Sequence, residues 1–209
     1  DGESLCPNSL YVQIGCDCYY IETTTTVSTS DVISITDEVI NSLSQLPNLT
    51  RLEIRNSGLT GEIPPEIGNL SNLQYLELDY NNLSGEIPPE LGNLTNLYRL
   101  RLHGNNLTGD IPSELGDLSN LQEIYLYDNQ LSGIPSELWN LSNLNKLYLG
   151  EHLYQEDEIF DMTLLEGIEN LTNLTSLMLT DIGLTDIPEV IFKSSLTNFP
   201  YGNPATKIF

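Results

Sequence analysis

Residues 73–96 read LQYLELDYNNLSGEIPPELGNLTN, and the organisation of the whole chain follows from them. The 24 residues before them, 49–72, read LTRLEIRNSGLTGEIPPEIGNLSN; the 24 after them, 97–120, read LYRLRLHGNNLTGDIPSELGDLSN. One template recurs three times at one length. Self-similarity at a fixed period of this size marks a solenoid, in which each unit buries its apolar side only by stacking on its neighbours.

Each block has two parts. Leu76 and Leu78 flank Glu77, the alternation of a strand with one buried face. Asn81, three residues on, recurs as Asn105 and Asn129, where stacked amides satisfy backbone groups that the turn would leave buried and unpaired. Leu83, Ile87, Leu91 and Leu94 then point inward along the return path. Gly85 and Pro88 punctuate that path, and proline lacks an N–H, so only a short second strand or extended segment is expected there. Successive strands become neighbours about 4.8 Å apart in a parallel sheet.

Away from the centre the template loosens. Residues 121–143 drop one residue, and 144–173 carry an acidic, aromatic insertion, GEHLYQEDEIFDM, that puts His152 at the asparagine position. From 174 the repeat has Ile182 there, and Leu196, Phe199 and Tyr201 repeat the leucine spacing once more. Pro200 inside that last strand reads as a device that ends the sheet. At the other end Leu10, Val12 and Ile14 alternate as a strand, and 19–30, YYIETTTTVSTS, reads as a cap strand or a glycosylated spacer. Residues 33–35, Ile-Ser-Ile, read as a degenerate first repeat strand, followed inward by Val39, Leu43 and Leu46. The expected division is an N-terminal cap at 1–31 and a repeat stack at 32–209: regular repeats at 49–143, an irregular one at 144–173, terminal repeats at 174–209.

The motif L-x-G-x-I-P at 59–64, 83–88 and 107–112 resembles the plant-type extracellular leucine-rich repeat, over about half of the chain. The resemblance implies an α/β repeat solenoid, a right-handed superhelix with a parallel β-sheet on its concave face. It implies a secreted or cell-surface ectodomain, like those of receptor-like kinases and polygalacturonase-inhibiting proteins. Such proteins bind peptides, other proteins or wall polymers on the sheet face and are not enzymes.

Composition narrows the partners. The formal net charge is −23, from 30 acidic and 7 basic residues, which excludes the basic footprint that nucleic acid requires and disfavours an anionic membrane surface. No apolar run reaches the roughly 18–20 residues of a membrane span. The chain starts at Asp1, which fits a processed mature form. Asn-x-Ser/Thr sequons stand at Asn48, Asn69, Asn82, Asn93, Asn106, Asn140, Asn170 and Asn173; the repeat itself generates some of them, but their recurrence at turns points to a secreted glycoprotein. The three cysteines, Cys6, Cys16 and Cys18, suggest one disulfide within the cap, Cys6 with Cys16 or Cys18. Three thiols with His103 and His152 far along the chain make a poor metal site.

The outward strand positions carry Arg51, Arg55, Tyr75, Arg99, Arg101, His103, Tyr125, Tyr127, Lys146 and Tyr148, with Glu53, Glu77, Asp79 and Glu123 among them. Five of the seven basic residues of the chain stand on this one face. Two readings stay open. Arginine and tyrosine are the usual anchors of a recognition surface. Alternatively, charges at matching positions in adjacent repeats simply neutralise one another, at about 0.2–1 kcal/mol per pair. Acidic rows at Glu62, Glu86 and Asp110, and at Glu66, Glu90, Glu114 and Glu137, read as a solvated face, since no calcium-loop spacing accompanies them. Neither a catalytic motif nor a phosphate or dinucleotide loop is present, so no cofactor is called for. The expected function is recognition of a protein, peptide or glycan through the sheet face. The alternatives are a structural subunit of a self-assembling extracellular filament or coat, in which copies of the chain bind one another, and, more weakly, an ice-binding protein.

Overall fold

The structure is a computed structural model that describes residues 11–14, 17–29, 34–150 and 166–180. Expectations for Cys6, Cys16, His152, Ile182, Pro200 and the inserted segment after Gly150 lie outside the described residues.

The described residues begin with an antiparallel pair, β1 (Tyr11–Ile14) and β2 (Asp17–Tyr20), in register with Tyr11 opposite Tyr20. Tyr19 Oη donates to the Ser28 carbonyl at 3.0 Å, tying the pair to β3 (Thr26–Ser28). Thr36 caps the helix α1 (Asp37–Ser44) by accepting from Val39 N, and Ile40 and Leu43 bury its inner side.

From there the period rules. β4 (Arg51–Glu53) is followed by β5 (Thr60–Gly61), β6 (Tyr75–Glu77) by β7 (Asn82–Glu86), β8 (Arg99–Arg101) by β9 (Asn106–Gly109), and β10 (Glu123–Tyr125) by β11 (Gln130–Leu131). β12 (Lys146–Gly150) and β13 (Ser176–Thr180) complete the described strands. Seven of them form a broad parallel sheet in the order β13-β12-β10-β8-β6-β4-β3. A second, narrower sheet, β11-β9-β7-β5, runs along the first half of the return path, ahead of the prolines. The ring nitrogen has no hydrogen to donate, so pairing stops before Pro64, Pro88, Pro112 and Pro135 and the chain turns into short 3-10 helices instead. Those turns pack closely. A Cβ on Gly68 would come within 2.4 Å of the Glu90 carbonyl oxygen, and one on Gly116 within 2.4 Å of that of Glu137. Glycine is what lets one rung rest on the next.

The first rung differs from the expectation. Of the expected strand at 33–35, Ile33 lies outside the described residues, and Ser34 and Ile35 do not form a strand of the broad sheet. Thr26–Ser28 does, with Val27 fully buried opposite Leu52, while Ser34 bridges Thr60 on the narrow sheet. Chain length explains the shift: Val27 stands 25 residues before Leu52, close to one period, whereas a strand at residue 34 leaves too little chain for a full turn.

Between the two sheets lies one continuous apolar core. Leu52, Leu76, Leu100, Ile124 and Leu147 occupy the same slot in successive rungs with no solvent exposure. Below the strands, Asn105 Oδ1 accepts from Leu83 N at 3.0 Å, and its Nδ2 donates to the carbonyls of Leu78 at 3.1 Å and Leu102 at 2.9 Å. Asn81 and Asn129 repeat the pattern.

Candidate recognition face

The outer side of the broad sheet carries three rows of side chains, one per outward position. The strand register puts Arg51, Tyr75, Arg99, Glu123, Lys146 and Ser176 in the first row. The second holds Glu53, Glu77, Arg101, Tyr125, Tyr148 and Met178. Arg55, Asp79, His103 and Tyr127 follow just beyond the strands and form the third.

One end of the face is a charge network built on sunken carboxylates. Glu77 is 2% exposed, and the guanidinium groups of Arg51, Arg99 and Arg55 surround it at 3.4, 3.3 and 3.7 Å. Asp79, fully buried, accepts two hydrogen bonds from Arg55 Nε at 2.9 and 3.0 Å. Glu123 accepts from Arg99 Nε at 2.6 Å and from Lys146 Nζ at 3.1 Å. Burial alone would raise the Glu123 carboxyl, but these two donors outweigh it and hold the group below the usual carboxylate range. The same partners act in reverse on the cations: burial works against the charge of Arg99, Arg55 and Lys146, and their carboxylate partners raise all three. The Arg51 guanidinium carbon also stands over the Tyr75 ring, 3.6 Å from its centroid.

The other end is aromatic. The His103 ring stacks on Tyr127 with centroids 4.4 Å apart, meets the Tyr80 ring edge-on at 4.8 Å, and lies 5.8 Å from Tyr125. Tyr125 meets Tyr148 edge-on at 4.9 Å, and Tyr148 Oη lies 2.9 Å from Ser176 Oγ. Burial, then the charge of Glu123, pushes the Tyr125 hydroxyl up. His103 is 4% exposed, and burial pulls its imidazole down to about 4; Asp79, 3.7 Å from Nε2, opposes that, while Arg101 and Arg55 reinforce it. Its Nδ1 is buried without a partner.

Arg101 joins the two ends and differs from the other cations. Among the described residues it makes no ion pair. Its guanidinium sits 4.7 Å from the Tyr125 ring centroid, and its Nε has no hydrogen-bond partner. The ten residues singled out in the sequence therefore divide three ways. Arg51, Arg55, Arg99 and Lys146 gather on carboxylates, with Tyr75 beneath Arg51. His103, Tyr125, Tyr127 and Tyr148 form the ring cluster. Arg101 stands between.

Tyr80 is a member of the cluster that the sequence reading passed over. It lies one residue past the outward rows, at a turn position that Asn56, Gly104 and Asp128 fill in neighbouring rungs. All four have positive φ, and a tyrosine among an asparagine, a glycine and an aspartate was the available signal.

Elsewhere, Cys18 is disulfide-bonded, to a partner outside the described residues. All eight sequon asparagines are exposed and lie off the broad sheet. Asn69, Asn93, Asn140 and Asn170 end the 3-10 turns, Asn82 and Asn106 open strands of the narrow sheet, and Asn48 and Asn173 donate to carbonyls of the preceding rung. The acidic rows are on the return path, where Glu62, Glu86 and Asp110 lie over Gly85, Gly109 and Gly133 of the next rung. Among the described residues no group of three or more His, Cys, Asp or Glu side chains is placed to hold a metal ion, and no helix is long and apolar enough to cross a membrane.

No curated protein matches the chain. Solved structures do. The ectodomain of the Arabidopsis thaliana membrane receptor kinase GASSHO1/SCHENGEN3, in complex with CASPARIAN STRIP INTEGRITY FACTOR 2, superposes with a TM-score of 0.61 at 30% identity, covering 88% of this chain and 21% of that one. The ectodomain of the Arabidopsis receptor kinase HAESA, in complex with an N-terminally extended IDA peptide hormone ligand, gives 0.60 at 30% identity, covering 78% and 27%. A leucine-rich repeat protein of the bacterium Leptospira interrogans gives 0.61 at 29% identity, covering 80% and 45%. The chain thus spans about a quarter of the length of these two plant ectodomains. A family model described as a leucine-rich repeat region matches residues 28–199, which takes in the broad sheet from β4 to β13, the turns and the asparagine ladder; the chain belongs to the leucine-rich repeat family.

Proposed function

We propose that this chain is a non-enzymatic, extracellular recognition module that binds a peptide or protein segment along its broad sheet. The observation that carries the reading is Arg101. Every other cation described on the face is engaged by a carboxylate, whereas Arg101 presents its charge above an aromatic cluster with Nε unpaired. A guanidinium beside tyrosines is the residue chemistry of interface anchors. A chain of net charge −23 that keeps five of its seven basic residues on one face also favours an acidic partner there. Similar ectodomains in complex with a peptide hormone ligand support a peptide, and sequons kept off the sheet support an exported chain whose face stays uncovered.

The test is selection of a phage-displayed random octapeptide library on the immobilised protein, followed by calorimetric titration of the most enriched peptide. Replacing Arg101 by Met is expected to weaken that peptide at least about tenfold. Equal affinity for both proteins would remove Arg101, and with it the sheet, from the site.

A further inference from the structure

The turn just past each sheet strand is left-handed in four consecutive rungs: φ is 48° at Asn56, 56° at Tyr80, 69° at Gly104 and 55° at Asp128. Asparagine, glycine and aspartate are the residues that take this conformation at least cost. Tyrosine is not, and a bulky residue held at positive φ is strained. The same tyrosine is the one large hydrophobic side chain that stands exposed among the described residues, at 50%. The next rung accommodates it: a Cβ on Gly104 would come 2.7 Å from Tyr80 Cδ1, so only glycine there lets the ring lie across.

Backbone strain, an exposed ring and a glycine that makes room for it together set Tyr80 at the rim of the sheet. Its ring stands edge-on to His103 at 4.8 Å, and its hydroxyl is 3.5 Å from that of Tyr127, whose ring stacks on His103. The three rings make a small aromatic platform that opens outward.

We propose that Tyr80 is a ligand-contacting residue, taking a ring-bearing side chain (Trp, Tyr, Phe or Pro) of an extended peptide bound along the sheet. This rests on the peptide-recognition reading above. A peptide ring suits the platform better than a sugar does. Sugar recognition needs polar groups around the ring to satisfy hydroxyls. Here Asp79 is held by Arg55, His103 Nδ1 is sealed from solvent, and the two tyrosine hydroxyls face each other. Arg101, above Tyr125 at the inner margin of the same cluster, supplies the charge complementarity for an acidic residue of the peptide.

The variant that decides is Tyr80→Asn, because asparagine occupies this turn position natively at residue 56. Relief of backbone strain offsets the lost ring contact, so the melting temperature is expected to stay within about 3 °C of the parent protein. A fall of more than about 5 °C would identify Tyr80 as a structural cover for His103 and overturn the proposal. Octapeptides selected on the parent protein are expected to share a ring-bearing residue at one position. Selection on Tyr80→Asn should keep their acidic residue and lose the ring. Identical preferences on both proteins would remove Tyr80 from the site while leaving sheet recognition standing. No enrichment on the parent protein would sink peptide recognition, and this proposal with it.

Discussion

The two sides of the broad sheet obey different rules. Inward, the central strand residues are Leu52, Leu76, Leu100, Ile124, Leu147 and Leu177, nearly one residue repeated. Outward, the adjacent position reads Arg51, Tyr75, Arg99, Glu123, Lys146 and Ser176, and the residue type changes at almost every rung. Stacking at constant spacing demands one side-chain volume in each interior slot. Nothing in the stacking makes that demand of the outer side. Variation there is free to carry information, provided that each buried charge finds a partner. Glu77, Asp79 and Glu123 meet that condition through the arginines and Lys146, so part of the outward face is structure and only the remainder is available to a ligand.

If this contrast is right, the largest losses come from the repeated side. Leu100→Ala removes a fully buried side chain between Leu76 and Ile124, which the fixed rung spacing keeps from closing the gap, and should cost about 4 kcal/mol in denaturant unfolding. Asn105→Ala comes next, at about 3 kcal/mol, because it takes the Oδ1 acceptor from the buried Leu83 N and leaves the carbonyls of Leu78 and Leu102 with one amide donor each, from Asn81 and Asn129, in place of two. A cost under about 1 kcal/mol at either position would mean that rungs are held by the outer charges instead.

These interior residues were also the legible ones. Leucine spacing, the asparagine at its fixed offset and the proline of the return path each answer to one constraint that repeats, so three copies in the sequence suffice to read it. Where the period breaks, legibility breaks with it. The first rung was misplaced because Val27 is a single apolar residue among threonines, with no second copy to align it. On the outer face the row memberships are legible in the leucine spacing, and the strand register reproduces them, but the depth of each side chain is not. Glu77 and Glu53 look alike in the sequence; one is sunk beneath three arginines and the other is half-buried, and only rotamers and neighbours decide that. Tyr80 escaped notice because the demand for positive φ is a property of the backbone, not of hydrophobic pattern.

His103 offers a pH test of the boundary between the two sides. It is outward by register yet buried by its neighbours. In the unfolded chain an imidazole takes its proton near pH 6.5, whereas in the fold it stays neutral until about 4. The unfolded state therefore binds more protons between these values. Stability is undiminished above about 6.5 and falls as pH drops towards 4, by at most about 3 kcal/mol. His103→Phe keeps the stack but cannot titrate, so its unfolding free energy should lack this component across the same window. Parallel pH profiles for the two proteins would show that the ring is wetter than its position indicates. Glu77→Gln acts nearby and more weakly. It withdraws the charge shared by Arg51, Arg55 and Arg99, but those groups are 23–43% exposed and solvent screens them, so about 1–2 kcal/mol is expected, shrinking with added salt.

The smallest stability effect should fall on the residue with the largest proposed effect on binding. Arg101→Met keeps an unbranched side chain over Tyr125 and breaks no ion pair among the described residues. What it loses is one cation–ring contact, about 0.5–1 kcal/mol at a partly buried site, against which stands relief of an unpaired buried Nε. The expected net change in unfolding free energy is below about 0.5 kcal/mol, against about 4 kcal/mol at Leu100, the preceding residue of the same strand. Arg99→Met is the control on the same strand: it breaks the 2.6 Å bond to Glu123 and leaves that carboxylate with Lys146 as its one cation beside the Tyr125 hydroxyl, so it should cost clearly more. Were the two arginine variants equally destabilised, Arg101 would be one more member of the charge network, and the distinction between the part of the face spent on folding and the part left for a ligand would collapse.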